Sequence, residues 1–367
     1  MTRLRTGFTT GAYAAATAVA AWRCLHGRRP AARVALAFPD GRVRRVNVDG
    51  ARRLEGPGAT AWATKDAGDD IDITNHAVIR TQLRPATAAE LRPEDHLEAC
   101  AGATLAIRAG AGVGRVSRPG LDVPAGKWAV NPGPRRMIVE NLARAGLARA
   151  PQLWLAEIGI DNGEALAAKT LNPTLGVVGG LSILGSSGIV VPCSNRAYIR
   201  TIEILLRGAR REGCREAVLV TGGRTHAAAR QAYPALPEVA FIRFGDFIRD
   251  TLQLAAEAGF TKVVVCSMPG KLAKYALELA NTHAHQVALA VPELLERLVA
   301  GGLPPPAAAA CQAARSVREC LARLDAADAA AAIRILTRQA RQTLAAWAPG
   351  LEIEIKTLSS EDATWLN

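Results

Sequence analysis

The chain is poor in aromatic residues and has no long apolar segment. Aromatic side chains make up 4% of its 367 residues, and its arginines are scattered, whereas nucleic-acid-binding proteins usually cluster their charge and place aromatic side chains within it. No stretch approaches the roughly 20 strongly apolar residues that a helix needs to span a bilayer. We therefore expect a soluble, cytoplasmic protein that binds a small molecule, with neither nucleic acid nor membrane as a partner.

Motifs for metal and for ATP are also missing. The seven cysteines, at positions 24, 100, 193, 214, 266, 311 and 320, form no CxxC pair and no Cys/His cluster with zinc-ligand spacing. This odd, scattered set indicates free thiols in a reducing cytosol, and we predict no metal site. Because the sequence has no Walker A motif, ATP hydrolysis is not expected.

Positive charge is in excess. The formal net charge is +12, and it comes from 38 arginines and only seven lysines. The codon bias of a GC-rich genome would explain this composition, and so would a polyanionic partner such as a small molecule with many carboxylates. Hydrophobic residues make up 49% of the chain, which is typical of a globular protein, and the length predicts roughly two to three domains.

The stretch from Asn172 to Pro192, NPTLGVVGGLSILGSSGIVVP, holds five glycines among Val, Ile and Leu residues. Glycine permits positive φ and close approach of two backbones, while β-branched residues favour buried extended chain. We predict buried extended pieces joined by tight turns. Because the stretch separates an irregular first half from a regular second half, we also expect a ligand cleft beside it.

Several local patterns stand out in the first half. The Ala-rich run that follows Thr9 predicts an amphipathic helix rather than a signal peptide. Residues 33–38 and 43–48 flank a Pro-Asp-Gly turn and predict a β-hairpin. A strand at 105–108 leads into a GxGxG loop, which is a weak signal for an anionic ligand. The pair Arg135 and Arg136 fits either a carboxylate anchor or a solvated helix start.

A regular alternation of strands and helices begins at Asn195. The segments 217–220, 239–244 and 262–266 each end in a glycine-containing turn and lead into a helix. This pattern predicts parallel βαβ units, whose ligands bind beyond the carboxyl ends of the strands. Asp246 follows the second of these strands, where a nucleotide-binding fold places an acid for the ribose hydroxyls; it equally fits a helix cap.

We predict a mixed fold, α/β and α+β, in three segments. Residues 1–192 form a glycine-rich α+β substrate domain, and residues 193–302 form a Rossmann-like α/β domain with a parallel sheet. Residues 303–367 follow a Pro-rich linker and form helices and an edge strand. The Ala-rich helices of this last segment predict a packing surface or the contact of a homodimer.

Six motifs together resemble those of the CbiD family, the cobalt-precorrin-5B C1-methyltransferases of cobalamin biosynthesis. They run in the family's order from about Leu4 to His285: LRTGFTTGAYAAA, KDAGDDIDIT, GAGVGRVSRPGL, VNPGPRRMI, NPTLGVVGGLSILGSSGIV, and MPGKLAKYA followed by NTHAH. Each motif alone is modest, but the ordered set is specific. Tyr13 and Met268 differ from the residues expected in this family, so we assign neither of them a catalytic role.

The resemblance implies that S-adenosylmethionine donates a methyl group to ring carbon C1 of a cobalt-bearing corrinoid, which gives cobalt-precorrin-6A. It also implies an α+β first half and a Rossmann-like second half. A corrinoid substrate carries many acetate and propionate groups, and these suit the basic charge of the chain.

The residues that would carry out this methyl transfer are predicted as hypotheses. The donor's adenosine and ribose are assigned to Gly222, Gly223 and Asp246. A proton-transfer or orienting role is assigned to His283, and orientation of the sulfonium to Asp66, Asp69 and Asp70. The cleft is shaped by Gly179, Gly180 and Gly185. The substrate carboxylates are assigned to Arg118, Arg135, Arg136 and Lys271.

Two other functions fit parts of the pattern. A nicotinamide-dependent oxidoreductase would use the same turns of the α/β scaffold, but the sequence offers no identifiable hydride-accepting site. A basic RNA-binding protein would show a steep dependence of RNA binding on salt.

Overall fold

The computed structural model describes residues 4–28, 31–100, 102–147, 153–192, 194–283 and 290–367. The chain divides into two compact units, Met1–Ser194 and Asn195–Asn367. Our division into three segments at residues 192 and 302 stays a prediction.

The first unit combines short strands with a few helices. In chain order its elements are β1 Gly7–Phe8, α1 Thr10–Leu25, β2 Arg33–Ala37, β3 Val43–Asn47, β4 Gly50–Arg53, β5 Ala59–Thr64, β6 Val78–Pro85, β7 His96–Cys100, β8 Ala103–Ala109, β9 Arg115–Val116, α2 Pro132–Ala145, β10 Leu153–Ile160, α3 Gly163–Ala167, β11 Val177–Val178 and β12 Ile189–Val190.

A six-stranded mixed sheet forms the centre of this unit, with the strand order β4-β5-β6-β10-β8-β7. Strands β10 and β8 run parallel, and the other neighbours are antiparallel. Strand β6 alternates as a half-buried strand should, because Ile79, Thr81 and Leu83 are buried while the residues between them are exposed. Strands β2 and β3 pair antiparallel, which confirms the predicted hairpin.

Helix α1 is buried on all sides, since every residue from Thr10 to Trp22 is buried. Its many alanines let it approach β4, β5, β6 and α2 closely. The Thr9 side chain caps the helix by accepting a hydrogen bond from the backbone N–H of Ala12, at 3.2 Å. The helix itself was predicted correctly, but its amphipathic character was wrong: small residues pack on every face.

The glycine-rich stretch adopts the predicted short extended pieces. Strand β11 pairs with β9, and β12 pairs with β1. All five of its glycines have positive φ, which explains the tight turns between the pieces. Burial is only partial, because Leu181 and Ile183 are buried whereas Val178, Leu184 and Val191 are exposed.

The second unit is an α/β layer structure. Its elements are α4 Asn195–Arg211, β13 Glu216–Val220, α5 Gly223–Ala232, β14 Phe241–Arg243, α6 Ile248–Glu257, β15 Lys262–Ser267, α7 Pro269–Ala276, α8 Val291–Ala300, α9 Pro305–Ala310, α10 Val317–Arg323, α11 Ala326–Trp347 and β16 Glu352–Thr357.

The sheet of the second unit has four parallel strands in the order β14-β13-β15-β16. Strands β13 and β15 are almost continuously apolar and buried, as expected for strands covered on both faces. Strand β16 joins the edge beside β15, where we predicted a terminal edge strand. The mixed α/β class and the parallel sheet are therefore confirmed.

Within the described ranges, the helices are all too short or too polar to cross a bilayer. The six described cysteines are free thiols, and four of them are buried; Cys193 lies outside the described residues.

Candidate functional site

Three turns of the second unit meet at one edge of its parallel sheet. Val220, at the end of β13, is in register with Arg243 of β14 and with Cys266 of β15. The turns that follow these strands contain Gly222, Asp246 and the Pro-Gly-Lys helix start. Because the strands are parallel and in register, the three turns lie side by side at their carboxyl ends.

Open space borders the glycines of this edge. A Cβ atom placed on Gly222, Gly223 or Gly270 would meet no described atom within 4 Å. Gly245 differs, because its φ is +63° and a Cβ there would lie 2.9 Å from the Tyr198 hydroxyl. The two glycines predicted to hold the donor therefore have room beside them for a ligand.

The Asp246 carboxylate is held through one oxygen. Lys271 Nζ lies 3.1 Å from Oδ1, and the Thr282 hydroxyl donates a hydrogen bond to the same oxygen at 2.9 Å. The backbone N–H of Thr282 also donates to the Asp246 carbonyl at 3.2 Å. The second oxygen, Oδ2, accepts no hydrogen bond from any residue that the structure describes.

Two lysines of α7 lie near this acid. Lys271 Nζ donates to the Gly245 carbonyl, and Lys274 Nζ donates to the Thr282 carbonyl at 3.0 Å. Burial lowers the pKa of Lys271 and of Lys274 below the usual lysine value, although the Asp246 charge opposes both shifts. The structure thus places Lys271 against Asp246, and its predicted contact with a substrate carboxylate stays a prediction.

A buried phenol lies on the same helix. Tyr275 is fully buried, and its hydroxyl has no hydrogen-bond partner in the described part of the chain. Burial, and to a lesser extent the charge of Asp246, raises the pKa of Tyr275 well above its usual value. Tyr275 and Thr282 were not singled out from the sequence, although both lie in the MPGKLAKYA and NTHAH motifs.

His283 follows Thr282 at this edge and is partly exposed. Its backbone N–H donates a hydrogen bond to the Asn281 side-chain oxygen at 2.9 Å. The proton-transfer or orienting role of the imidazole stays a prediction, and His285 lies outside the described residues.

The predicted carboxylate anchors of the first unit differ in their surroundings. Arg118 is half-buried and donates to the carbonyls of Pro173 and Thr174. Arg135 forms an ion pair with Glu98. Arg136 is exposed and has no ion-pair partner among the described residues. Of the three guanidinium groups, that of Arg136 is the most available to an anion.

The glycines predicted to shape the cleft differ in how much space surrounds them. A Cβ on Gly180 would lie 2.4 Å from the Gly112 carbonyl oxygen, and one on Gly185 would lie 2.3 Å from Thr9 Oγ1. Gly179, with φ +78°, has no described atom within 4 Å of its Cβ position. Gly180 and Gly185 therefore permit close packing within the unit, and Gly179 borders open space. The ligand cleft expected beside this stretch stays a prediction.

The acidic motif of the first unit is internally paired. The Arg5 guanidinium binds Asp66 through two hydrogen bonds, and its backbone N–H donates to Asp69 at 2.6 Å. Lys65 is 1% exposed and contacts Asp72 at 2.6 Å. The contacts of Arg5 tie the start of the LRTGFTTGAYAAA motif to the acidic motif and so stabilise the fold. The predicted role of Asp66, Asp69 and Asp70 toward a sulfonium stays a prediction.

Tyr13, at a position where the family was expected to have a different residue, also contacts the acidic motif. Its hydroxyl accepts a hydrogen bond from the Asp66 backbone N–H at 2.9 Å. Nowhere in the described ranges do three or more His, Cys, Asp or Glu side chains gather as metal ligands would.

Comparisons with known proteins all identify the same family. Residues 1–192 match the CbiD family. The chain is 41% identical over 285 residues to the cobalt-precorrin-5B C(1)-methyltransferase of Geobacillus kaustophilus, an alignment that covers 77% of this chain and 72% of the relative. It is 39% identical over 317 residues to the protein of the same name from Thermus thermophilus, covering 86% and 81%.

A solved structure is also similar to this chain. The crystal structure of a cobalamin biosynthesis protein from Archaeoglobus fulgidus is 27% identical to it in sequence, with a TM-score of 0.40, and the match covers 74% of this chain and 80% of that one.

Proposed function

Because the chain belongs to the CbiD family, we propose that it is a cobalt-precorrin-5B C(1)-methyltransferase. It methylates carbon C1 of the corrinoid ring and gives cobalt-precorrin-6A, a step of cobalamin biosynthesis. One observation carries this proposal: the identity of 37% to 41% with proteins of that name extends over 77% to 87% of the chain.

We further propose that the methyl donor is S-adenosylmethionine and that the sheet edge of the second unit binds it. Two features support the fit. Gly222 and Gly223 border open space, and Asp246 Oδ2 accepts no hydrogen bond from the described residues. When bound, the donor supplies an activated methyl group on a sulfonium that is a good leaving group.

The residues around Asp246 would orient the donor. Lys271 and Thr282 both contact Oδ1, so the carboxylate is fixed before a ligand arrives. Fixing a ligand-binding group in advance removes part of the entropy cost of binding. Asp246 would then accept hydrogen bonds from the ribose hydroxyls through Oδ2, as acids at this position of nucleotide-binding sheets do.

Methyl transfer to an electron-rich ring carbon requires few catalytic groups from the protein. Alignment of the two reactants and exclusion of water supply most of the acceleration, so a strong base is not required. Arg136 would bind a substrate carboxylate, because it is exposed and unpaired within the described part of the chain. Arg118 and Arg135, in the same unit, would add positive charge for the other carboxylates.

The activity is tested by methyl incorporation. The enzyme is incubated with radiolabelled S-adenosylmethionine and either the cobalt-containing or the metal-free precorrin. We expect label in the cobalt-containing macrocycle; no label in either macrocycle would refute the proposal.

Ligand titration distinguishes a methyltransferase from the two alternative functions, an oxidoreductase and an RNA-binding protein. Calorimetry is carried out with S-adenosylhomocysteine, with NADH and with a short RNA. We expect binding of S-adenosylhomocysteine. Preference for NADH would instead support an oxidoreductase, and nanomolar RNA binding with a steep salt dependence would support an RNA-binding protein.

The donor site is tested by Asp246→Ala. A hydrogen bond to a charged group contributes about 1.5–3 kcal/mol, so the affinity for S-adenosylhomocysteine should fall by roughly 10- to 100-fold. The matched control is Asp250→Ala on α6, which leaves the Lys271 and Thr282 contacts in place. Equal affinities of the two variants would show that the donor binds elsewhere.

A further inference from the structure

Helix α11 carries a line of arginines with no acid near them in sequence. Arg334, Arg338 and Arg341 are spaced at i, i+4 and i+7, so they share one face of the helix. From Ala329 to Leu351 the sequence contains neither Asp nor Glu. Like charges three or four residues apart on a helix repel one another, so this arrangement weakens the helix unless an anion is bound.

These side chains line a pocket of about 400 Å³. All three arginines of the line contribute to it, together with Thr337, Gln342 and Asn367. Its volume lies in the range of small-molecule sites, roughly 300–1,000 Å³. Most of the exposed wall is carbon, from Ala345 and from the aliphatic parts of the longer side chains, and its polar groups are guanidinium, hydroxyl and amide groups.

The acids of the described ranges do not neutralise these arginines. In that part of the chain, Arg334 and Arg341 make no ion pair or hydrogen bond, and Arg338 donates only to the neutral Gly301 carbonyl at 3.0 Å. Arginines elsewhere in the same unit do pair, as Arg323 does with Glu319 at 2.6 Å. The line on α11 thus differs from a surface ion-pair network.

The wall of the pocket is held firmly. The Asn367 amide donates to Thr337 Oγ1 at 2.8 Å, and its oxygen accepts from the Thr357 backbone N–H at 2.6 Å. On its other face α11 buries Ile333, Leu336 and Leu344. The guanidinium groups therefore project from a helix whose position is fixed on both sides.

We propose that this pocket binds a small polyanion with two or more adjacent phosphate or carboxylate groups. Guanidinium forks bind both groups bidentately, and three of them on one face match a ligand with several anionic groups. This site lies outside the turns assigned to the methyl donor, and its occupancy does not depend on the proposed reaction.

The proposal is tested by titrating the full-length protein with pyrophosphate and with citrate at low ionic strength. We expect at least one of them to bind, with an affinity that falls as salt is added. In Arg334→Gln/Arg341→Gln the affinity should fall at least tenfold. The matched control is Arg52→Gln, which replaces an exposed arginine of β4, and it should bind like the wild type.

The two anions show whether the ligand's charged groups are phosphates or carboxylates. Binding of pyrophosphate alone indicates a phosphate ligand, binding of citrate alone indicates a carboxylate ligand, and both outcomes support the site. If neither anion binds, or if Arg52→Gln loses as much affinity as the double variant, the proposal is wrong.

A second measurement uses the unmodified protein. Phenylglyoxal modifies accessible arginines, and peptide mass spectrometry locates the products. The bound anion should protect Arg334, Arg338 and Arg341 but not Arg52. Equal modification of all four residues with and without the anion would overturn the proposal, even if the double variant failed to fold.

Discussion

At the scale of single residues, the Asp246 carboxylate is held in place by two neighbouring side chains. Its Oδ1 contacts the Lys271 ammonium and the Thr282 hydroxyl. An acid fixed through one oxygen can accept hydrogen bonds through the other without reorienting. This arrangement makes Lys271 a positioning residue for the proposed donor site.

Replacing Lys271 by Met should change how donor affinity depends on pH. The wild-type pair needs a protonated lysine, and burial lowers the pKa of Lys271. Affinity for S-adenosylhomocysteine should therefore fall as the pH rises through that pKa, while Lys271→Met binds more weakly at neutral pH and lacks this alkaline decline. Calorimetry between about pH 7 and 10 measures both curves; parallel curves would contradict the positioning role.

A second residue pair belongs to the core of the first unit. The Asp95 carboxylate is fully buried and contacts Arg108 Nη2 at 2.6 Å. Burial opposes the charged form of Asp95, but hydrogen bonds from Arg108, the Arg92 backbone N–H and the Trp128 indole outweigh it. The pKa of Asp95 is consequently lower than usual.

Asp95→Asn should destabilise the fold by about 3–5 kcal/mol, because it leaves the buried Arg108 charge without a partner. A carboxyl with a lowered folded-state pKa stabilises the fold above its unfolded-state pKa of about 3.9, and this contribution is lost as the pH falls through the folded-state value. The difference from wild type should thus be full at neutral pH and shrink in acid.

Urea unfolding followed by tryptophan fluorescence measures this difference at each pH. Asp40→Asn is the control, because its ion pair with Arg44 is partly exposed, whereas that of Asp95 is buried. A difference that stayed constant into strong acid would show that the loss is not electrostatic.

At the scale of elements, glycines let the GxGxG loop and the glycine-rich stretch pack backbone to backbone. Gly180 lies against Gly112 and Val113, whereas its neighbour Gly179 borders open space. The backbone N–H of Leu181 donates to the Gly112 carbonyl at 2.9 Å, which fixes the two segments together. Gly180 is therefore required by close backbone packing, whereas Gly179 is favoured only by its positive φ.

Gly180→Ala should cost clearly more stability than Gly179→Ala. A Cβ on Gly180 would lie 2.4 Å from a backbone oxygen, so the chain must shift, and we expect a loss above about 2 kcal/mol. Gly179→Ala introduces only the strain of positive φ, about 1 kcal/mol. Thermal unfolding of the two variants gives the comparison, and equal losses would refute this account of the packing.

At the scale of the whole molecule, the last strand completes a sheet that began far earlier in the chain. Strand β16 pairs with β15 over residues 352–357, and this end of the chain buries Ile353, Ile355 and Leu358. The Ala-rich helices between the two strands carry the chain back to this edge, and α11 packs on α7 and on β16.

Removal of residues 352–367 should loosen the second unit. Strand β15 would become an edge strand, and the buried apolar side chains of β16 would be lost. Hydrogen exchange of the β15 amides should accelerate by at least tenfold. The control Glu352→Gln/Glu354→Gln keeps the strand and should retain protection; unchanged exchange in the truncated chain would show that β16 is dispensable.

Some features could be predicted because they depend on local pattern. The β-hairpin, strand β8 and the repeated strand-turn-helix units follow from side-chain period and turn residues, which act over a few positions. The six ordered motifs likewise identified the family, since they can be read without knowing any contact.

The sequence by itself therefore determined the elements that have a strong local pattern and the family to which the chain belongs. Only the tertiary structure decided that α1 is buried on every face, that Arg5 pairs with Asp66, and that Lys271 holds Asp246. The physical reason is that burial and ion pairing depend on which distant segments meet, and the periodicity of a segment records the face that it buries but not the partner that covers it.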